Sequence, residues 1–346
     1  MRALRILLGA IIAITGSVAS TMPRPARADE PVTVFCGFEI DWCEALKAAY
    51  EKSTGLKANV SRKTDGEALA QIRAEKGNPR VDVLQGYDSE SIKQLTAEKL
   101  TLAYKSPMVP QLHEWAIKLG EANTYHQTPV YTGVLGFGYN SVLLAKKAVP
   151  APQCWKDLAN PAYRNEIQMA NPGTSSTAFN AVATVLQIMG EDAGFKFLAE
   201  MNKNVNQYTR SGTAGINAAA KGETLIGIAF LHDSVAQAVQ GYPVVSVAPC
   251  EGTGYEMAVS AILDGSPNPE AAKKWIDFAL SPAGQNVAIT VNKFQIPSNR
   301  TAQVHPKAPR PENVKLINFD LAMYGSKEGH ARLLSRWEAE VHNAPK

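Results

Sequence analysis

The chain has 346 residues, 45% of them hydrophobic, which is enough to bury a large core divided between two domains. Its formal net charge is +3, but Arg2, Arg5, Arg24 and Arg27 all fall in the first 28 residues, a stretch with no acid, so removing that stretch takes the formal charge to −1. No basic stripe remains, which excludes an electrostatic nucleic-acid binder.

The N-terminus carries two arginines within Met1 to Arg5, an apolar run from Ile6 to Val18, and the small-x-small pattern Ala26-Arg27-Ala28. The run is too short for a comfortable membrane span, so a cleaved secretory signal over residues 1–28 is expected. Val32 to Phe35 then reads as a buried strand, followed by a helix from about Trp42 to Ser53 that stops at Thr54-Gly55. Lys57 to Val60 is a second strand. Thr64-Asp65-Gly66-Glu67 opens a second helix to about Ala74, with a capping-box spacing between Thr64 and Glu67. Val81 to Leu84 is a third strand leading into the turn-like Gln85-Gly86-Tyr87-Asp88. Strands alternating with helices imply parallel βαβ units and an α/β fold.

Val134 to Tyr139 reads as a strand crossing into a new unit, and Met257 to Ile262 as the strand that crosses back. The predicted architecture is therefore a discontinuous first lobe, 29–133 and 257–346, enclosing an inserted second lobe, 134–256. Each lobe would hold a mixed, mainly parallel sheet flanked by helices, with two hinge strands between them that let the lobes close on a ligand. After the second crossing the chain is predicted helical over Pro269 to Leu280, Ala283 to Val291 and Leu333 to Val341. Gly133, Gly136 and Gly138 lack the GxGxxG spacing of a dinucleotide loop, and tight strand packing explains them better.

Inside the inserted lobe one pattern occurs three times: a short strand, a knot of small polar residues, then a helix. The knots hold Ser175, Ser176 and Thr177, then Arg210 and Ser211, then His232 and Asp233. Hydroxyls and free amides at helix starts bind anions without a metal, and Arg210 could add a bidentate partner. With Thr64, Asp65 and Gly66 across the hinge, these knots would form one anion-binding cleft. Capping is the plain alternative for each hydroxyl, and a core histidine beside a capping aspartate the plain alternative for His232-Asp233. Glu256, an acid in a strand at the second crossing, needs a partner such as a ligand hydroxyl or a cation if buried. Trp42 and Tyr87, after the first and third strands, could supply stacking faces.

No Walker A loop, GxSxG elbow, HExxH or CxxC occurs, so no cofactor or metal site is expected and enzymatic chemistry is not. A secreted hydrolase using Ser175 or Ser176 with His232 is the remote alternative. Four cysteines allow three pairings, and export favours disulfides; Cys36–Cys43 and Cys154–Cys250 are expected, since each pair would sit within one structural unit.

Asp41-Trp42-Cys43, Thr64 to Glu67, Leu135 to Asn140, Gln168 to Pro172, Asn206 to Gly212 and Ala248 to Glu256 together resemble the periplasmic solute-binding proteins of ABC importers. The resemblance spans nearly the whole chain after residue 28. It lies in the branch of the ferric-ion binders, nearest to hexose-phosphate-binding members. It implies a two-lobed, type II-like receptor, monomeric, delivering a small anionic solute to a membrane permease from the periplasm. It also implies that Thr64, His232, Asp233 and Glu256 line the cleft. Ferric binders of this kind use two consecutive tyrosines, and this chain has no Tyr-Tyr pair. The expected ligand is thus a phosphorylated small molecule, foremost a sugar phosphate. A 2-aminoethylphosphonate-like aminophosphonate, a polyamine or ferric ion is the alternative in the same fold.

Overall fold

A computed structural model describes residues 30–324 and 326–345, so the expected signal segment 1–28 lies outside the described residues. Eleven strands occur among them. They are β1 Val32–Cys36, β2 Ala58–Arg62, β3 Val83–Asp88, β4 Thr101–Leu102, β5 Thr128–Asn140, β6 Ile167–Ala170, β7 Val205–Thr209, β8 Ile226–Phe230, β9 Val244–Val247, β10 Tyr255–Leu263 and β11 Ile296–Pro297. The main path runs β2-β1-β3-β10-β5-β8-β6-β7, with β4 on β10 and with β9 and β11 on β5. The chain therefore forms two parallel blocks, β2-β1-β3 and β7-β6-β8, joined through the antiparallel pair β5 and β10. This is the mixed, mainly parallel α/β architecture expected from the alternation of elements.

Strand β5 is longer than its apolar core suggested, and it is shared. Its first residues pair β10, from Thr128↔Ser260 to Val134↔Tyr255, and its later ones pair β8, from Leu135↔Phe230 to Tyr139↔Ile226. The crossing between the blocks thus falls at Gly133–Leu135. Both faces of each block are covered. In β1, Val34 packs with Leu46, Tyr50 and Trp275, while its neighbour Phe35 packs with Leu84 and Ile92 on the opposite face. In the second block, Ile226 and Ile228 pack with Phe137 and Phe195, while Ala229 faces Ile216 and Ala219.

Three local differences from the sequence reading are physical in origin. Gln85-Gly86-Tyr87-Asp88 is the end of β3 and not a turn. The register against β10 slips at Gly86, which has φ 75° and lies where the Phe38 ring leaves no room for a Cβ. The helix expected over Ala283 to Val291 is two short pieces, Pro282–Gln285 and Val287–Thr290. The C-terminal helix Lys327–Trp337, read as part of the first lobe, instead buries Leu333, Trp337 and the following Val341 in the second lobe's core beside Phe195 and Leu198. Its apolar stripe at four-residue spacing specifies a helix face and not the lobe that covers it. Lys327 then reaches back to Glu98 of the first lobe at 3.0 Å, so this helix spans the two lobes.

Both expected disulfides are present. Cys36–Cys43 ties the end of β1 to the helix Ile40–Thr54, fixing the turn Gly37-Phe38-Glu39 between them. Cys154–Cys250 joins positions 96 residues apart within the second lobe. A crosslink over a loop that long restricts the unfolded chain strongly, so replacing Cys154 and Cys250 by Ser is expected to lower stability by about 2–4 kcal/mol. Urea unfolding checks this; an unchanged midpoint would mean that the crosslink does not constrain the unfolded chain.

Candidate functional site

The carboxyl ends of the parallel strands in both blocks point at one gap, the usual place for a ligand in α/β sheets. From the first lobe, β1 delivers Phe38 and Glu39, β2 delivers Arg62 and then Thr64 and Asp65, and β3 delivers Asp88. From the second, β6 leads to Ser175, Ser176 and Thr177, β7 to Arg210 through Thr213, and β8 to His232 and Asp233. These residues, with Tyr131, Glu256 and Gln295, line a cavity between the two blocks, a concave and largely preformed place of the kind that small molecules occupy.

Contacts between the lobes close this gap. The Ser176 hydroxyl donates to Asp65 Oδ1 at 3.2 Å, and Arg62 Nη2 donates to Ser211 Oγ at 3.4 Å. Arg210 pairs with Glu67 across the mouth. Gly66 sits at a close approach of the lobes, since a Cβ there would lie 3.0 Å from the Gly173 carbonyl oxygen. Helix starts from the second lobe face the cavity with little local capping. Ser175 begins the helix Ser176–Met189 and Thr213 the helix Ala214–Lys221, and neither side chain caps its own helix. Their hydroxyls and first-turn amides can therefore serve a ligand instead.

At the other side of the cavity, His232 is 4% exposed and Glu256 7%. His232 Nε2 lies 3.5 Å from Asp233 Oδ1 and 3.9 Å from Glu256 Oε1, while His232 Nδ1 and Glu256 Oε1 have no hydrogen-bond partner. The imidazole stacks on Phe230 and meets Tyr131 edge-on, which fixes its plane. Burial, assisted by Lys293, pushes the His232 pKa down to about 3, so the ring is neutral. Burial pushes Asp233 and Glu256 well above the usual carboxylate range, with Glu39 adding to the rise at Asp233 and Asp88 to that at Glu256. Asp88 is raised to about 8 by burial and then by Glu90 and Asp65. Gly133 makes room for this group, because a Cβ on it would come within 2.5 Å of the His232 ring and 3.2 Å of Glu256 Oε1. The cluster can accept and donate hydrogen bonds to hydroxyls or an amine, and the helix starts opposite can hold an anion.

Of the residues singled out from sequence, Thr64, Asp65, Ser175, Ser176, Thr177, Arg210, Ser211, His232, Asp233 and Glu256 all line the cavity. Three are placed elsewhere. Gly66 is the close-approach position described above. Trp42 is buried and stacks on Phe38 at 3.9 Å, so Phe38 presents the aromatic face. Tyr87 is a core residue whose hydroxyl donates to the Lys63 carbonyl oxygen. The sequence reading missed Arg62, Asp88, Phe38, Glu39, Tyr131 and Gln295. Arg62 and Asp88 end β2 and β3, so their position on the carboxyl edge was a usable signal; Gln295 carried none. Among the described residues neither Ser175 nor Ser176 hydrogen-bonds His232.

A family model described as bacterial extracellular solute-binding protein matches residues 78–323. The chain belongs to that family. An uncharacterized protein of Haemophilus influenzae is 37% identical over 97% of this chain and 95% of its own length. The structure of the periplasmic binding protein AfuA from Actinobacillus pleuropneumoniae, with exogenous fructose-6-phosphate bound, superposes with a TM-score of 0.86 at 36% identity, covering 91% of this chain and 99% of that one. The periplasmic binding protein P5PA gives a TM-score of 0.86 at 32% identity, covering 90% and 100%. The chain is thus a solute-binding protein of the ABC-importer type, in a family of transport receptors and not of enzymes.

Two outcomes test the geometry. Gly133→Ala should displace the His232 ring and lower stability by about 1–3 kcal/mol, measured by denaturant unfolding; a neutral substitution would mean that the ring has slack. The raised carboxyls also bind protons that the unfolded chain releases, so they lower stability as pH rises toward about 8. His232 acts in the opposite sense, but only below its ordinary value of 6.5. Between pH 6.5 and 8 the thermal midpoint should therefore fall, and Asp88→Asn should reduce that slope. An unaltered slope in the variant would count against the burial of Asp88.

Proposed function

We propose that this protein binds a phosphorylated small molecule, foremost a sugar phosphate, in the cleft between its lobes and delivers it to a membrane permease from the periplasm. In this reading residues 1–28 are the secretory signal, and 134–256 form the second lobe, with the C-terminal helix docked on it. The single observation that carries the reading is the division of the cavity into two chemistries. Hydroxyls, helix-start amides and Arg62 form one wall, and Asp233 with the partly unpartnered His232 and Glu256 forms the other. A sugar phosphate presents an anion to the first wall and hydroxyls to the second. The fructose-6-phosphate bound to the AfuA relative supports the same class.

The surplus of acids favours a second reading. Five carboxyl residues (Glu39, Asp65, Asp88, Asp233 and Glu256) line the cavity against the guanidinium groups of Arg62 and Arg210, and Arg210 is already held by Glu67. An aminophosphonate would supply a cation to that surplus.

Thermal-shift titration separates the readings. A true ligand at about 100 times its dissociation constant adds about 2.7 kcal/mol of stability, equivalent to several degrees in the midpoint. Fructose 6-phosphate or glucose 6-phosphate should produce this shift and inorganic phosphate should not. A shift with 2-aminoethylphosphonate alone would favour the second reading, and a shift with polyamines alone would refute the anion site. Asp233→Ala and Glu256→Ala should remove the ligand-induced shift while the ligand-free proteins remain folded; loss of folding would assign these acids a structural role.

A further inference from the structure

Behind the cleft, on the face of β10 that carries Tyr255 and Met257, lies a second cavity. Its walls come from both lobes and from the C-terminal segment. The helix Ser89–Ala97 contributes Glu90 from the first lobe, the helix Ser176–Met189 contributes Phe179 from the second, and β10 contributes Tyr255. Phe319, Tyr324 and His330 come from the C-terminal segment. Phe179 lies against the His330 ring at 4.0 Å, and Phe319 and Tyr324 are 6.0 Å apart.

The charge in this aromatic chamber is one-sided. Asp88 and Glu90 line it, and no lysine or arginine among the described residues does. Lys93 takes Glu90 Oε1, whereas Glu90 Oε2 is buried with no partner. His330, pushed down to about 4 by burial and then by Arg73, is neutral and offers a ring face without opposing a cation. Aromatic walls around a carboxylate attract cations that are weakly hydrated, and organic ammonium groups fit that description.

We propose that this side cavity binds an organic ammonium cation, with its alkyl groups against Phe179, Tyr255 and His330 and its charge facing the unpartnered Glu90 Oε2. Because the walls meet only when the lobes are together, the occupant favours closure. Asp88 and Ser176 line both this cavity and the cleft. The ammonium group can therefore belong to a separate small molecule or to the far end of one whose anion lies in the cleft.

Isothermal titration of the intact protein with choline, tetramethylammonium and phenethylammonium tests the site. These probes carry no phosphate, so their outcome is independent of the sugar-phosphate reading. Saturable binding of at least one probe is expected, weakened about tenfold or more by the isosteric Glu90→Gln and by Phe179→Ala. Circular dichroism establishes that each variant is folded, and Glu90→Gln alone suffices if Phe179→Ala is not. Phosphocholine binding at least tenfold more tightly than choline would assign the ammonium to the cleft ligand, and equal binding would assign it to a separate molecule. Absence of saturable binding by all three probes, or binding unchanged in a folded Glu90→Gln, overturns the proposal.

Discussion

The constraint on which the rest depends is the burial of His232 and Glu256 beside each other with polar atoms that nothing in the protein satisfies. An unpartnered buried donor or acceptor costs about 1–3 kcal/mol, and here two lie within one small volume between the lobes. A ligand that supplies those hydrogen bonds removes that cost in the closed form. A solute that does so shifts the open–closed equilibrium by its differential affinity for the closed form. Specificity and closure are then the same physical event.

The architecture places that strain where it can act. Strand β5 serves both blocks, and its glycine at position 133 sits where the lobes exchange partners, so His232 and Glu256 pack against the hinge itself. The disulfide at Cys36–Cys43 fixes the turn that carries Phe38 and Glu39 into the cavity. The C-terminal helix adds a third link beyond the two hinge strands: its core residues belong to the second lobe, while Lys327 reaches Glu98 of the first. Closure must therefore keep this helix in register with both lobes.

Much of this was legible in the sequence because the signals were local. Strand–knot–helix repeats and the two crossings follow from residue type at short spacing, and the cysteine pairs follow from placing each pair within one structural unit. The resemblance to solute-binding proteins then singled out Thr64, His232, Asp233 and Glu256. What was not legible depended on tertiary placement. Tyr87 and Trp42 are aromatic residues near strand ends, but the bulge at Gly86 and the stack on Phe38 turn them into the core. Gln295 is an ordinary polar residue until the fold brings it to the cleft, whereas Arg62 and Asp88 stand at the ends of β2 and β3, where the strand pattern points to the carboxyl edge. The lobe that covers Leu333, Trp337 and Val341 is a packing decision that their periodicity does not encode.

The central claim is that one molecule bridges the hydroxyl-and-amide wall of the cleft and the His232–Glu256 wall. A crystal structure of the protein with fructose 6-phosphate tests it most directly. The claim predicts the phosphate against Ser175, Ser176, Thr177 and Arg62, with sugar hydroxyls within hydrogen-bond distance of His232 and Glu256. A phosphate seated at His232 and Glu256, or a ligand outside the cleft, would contradict it.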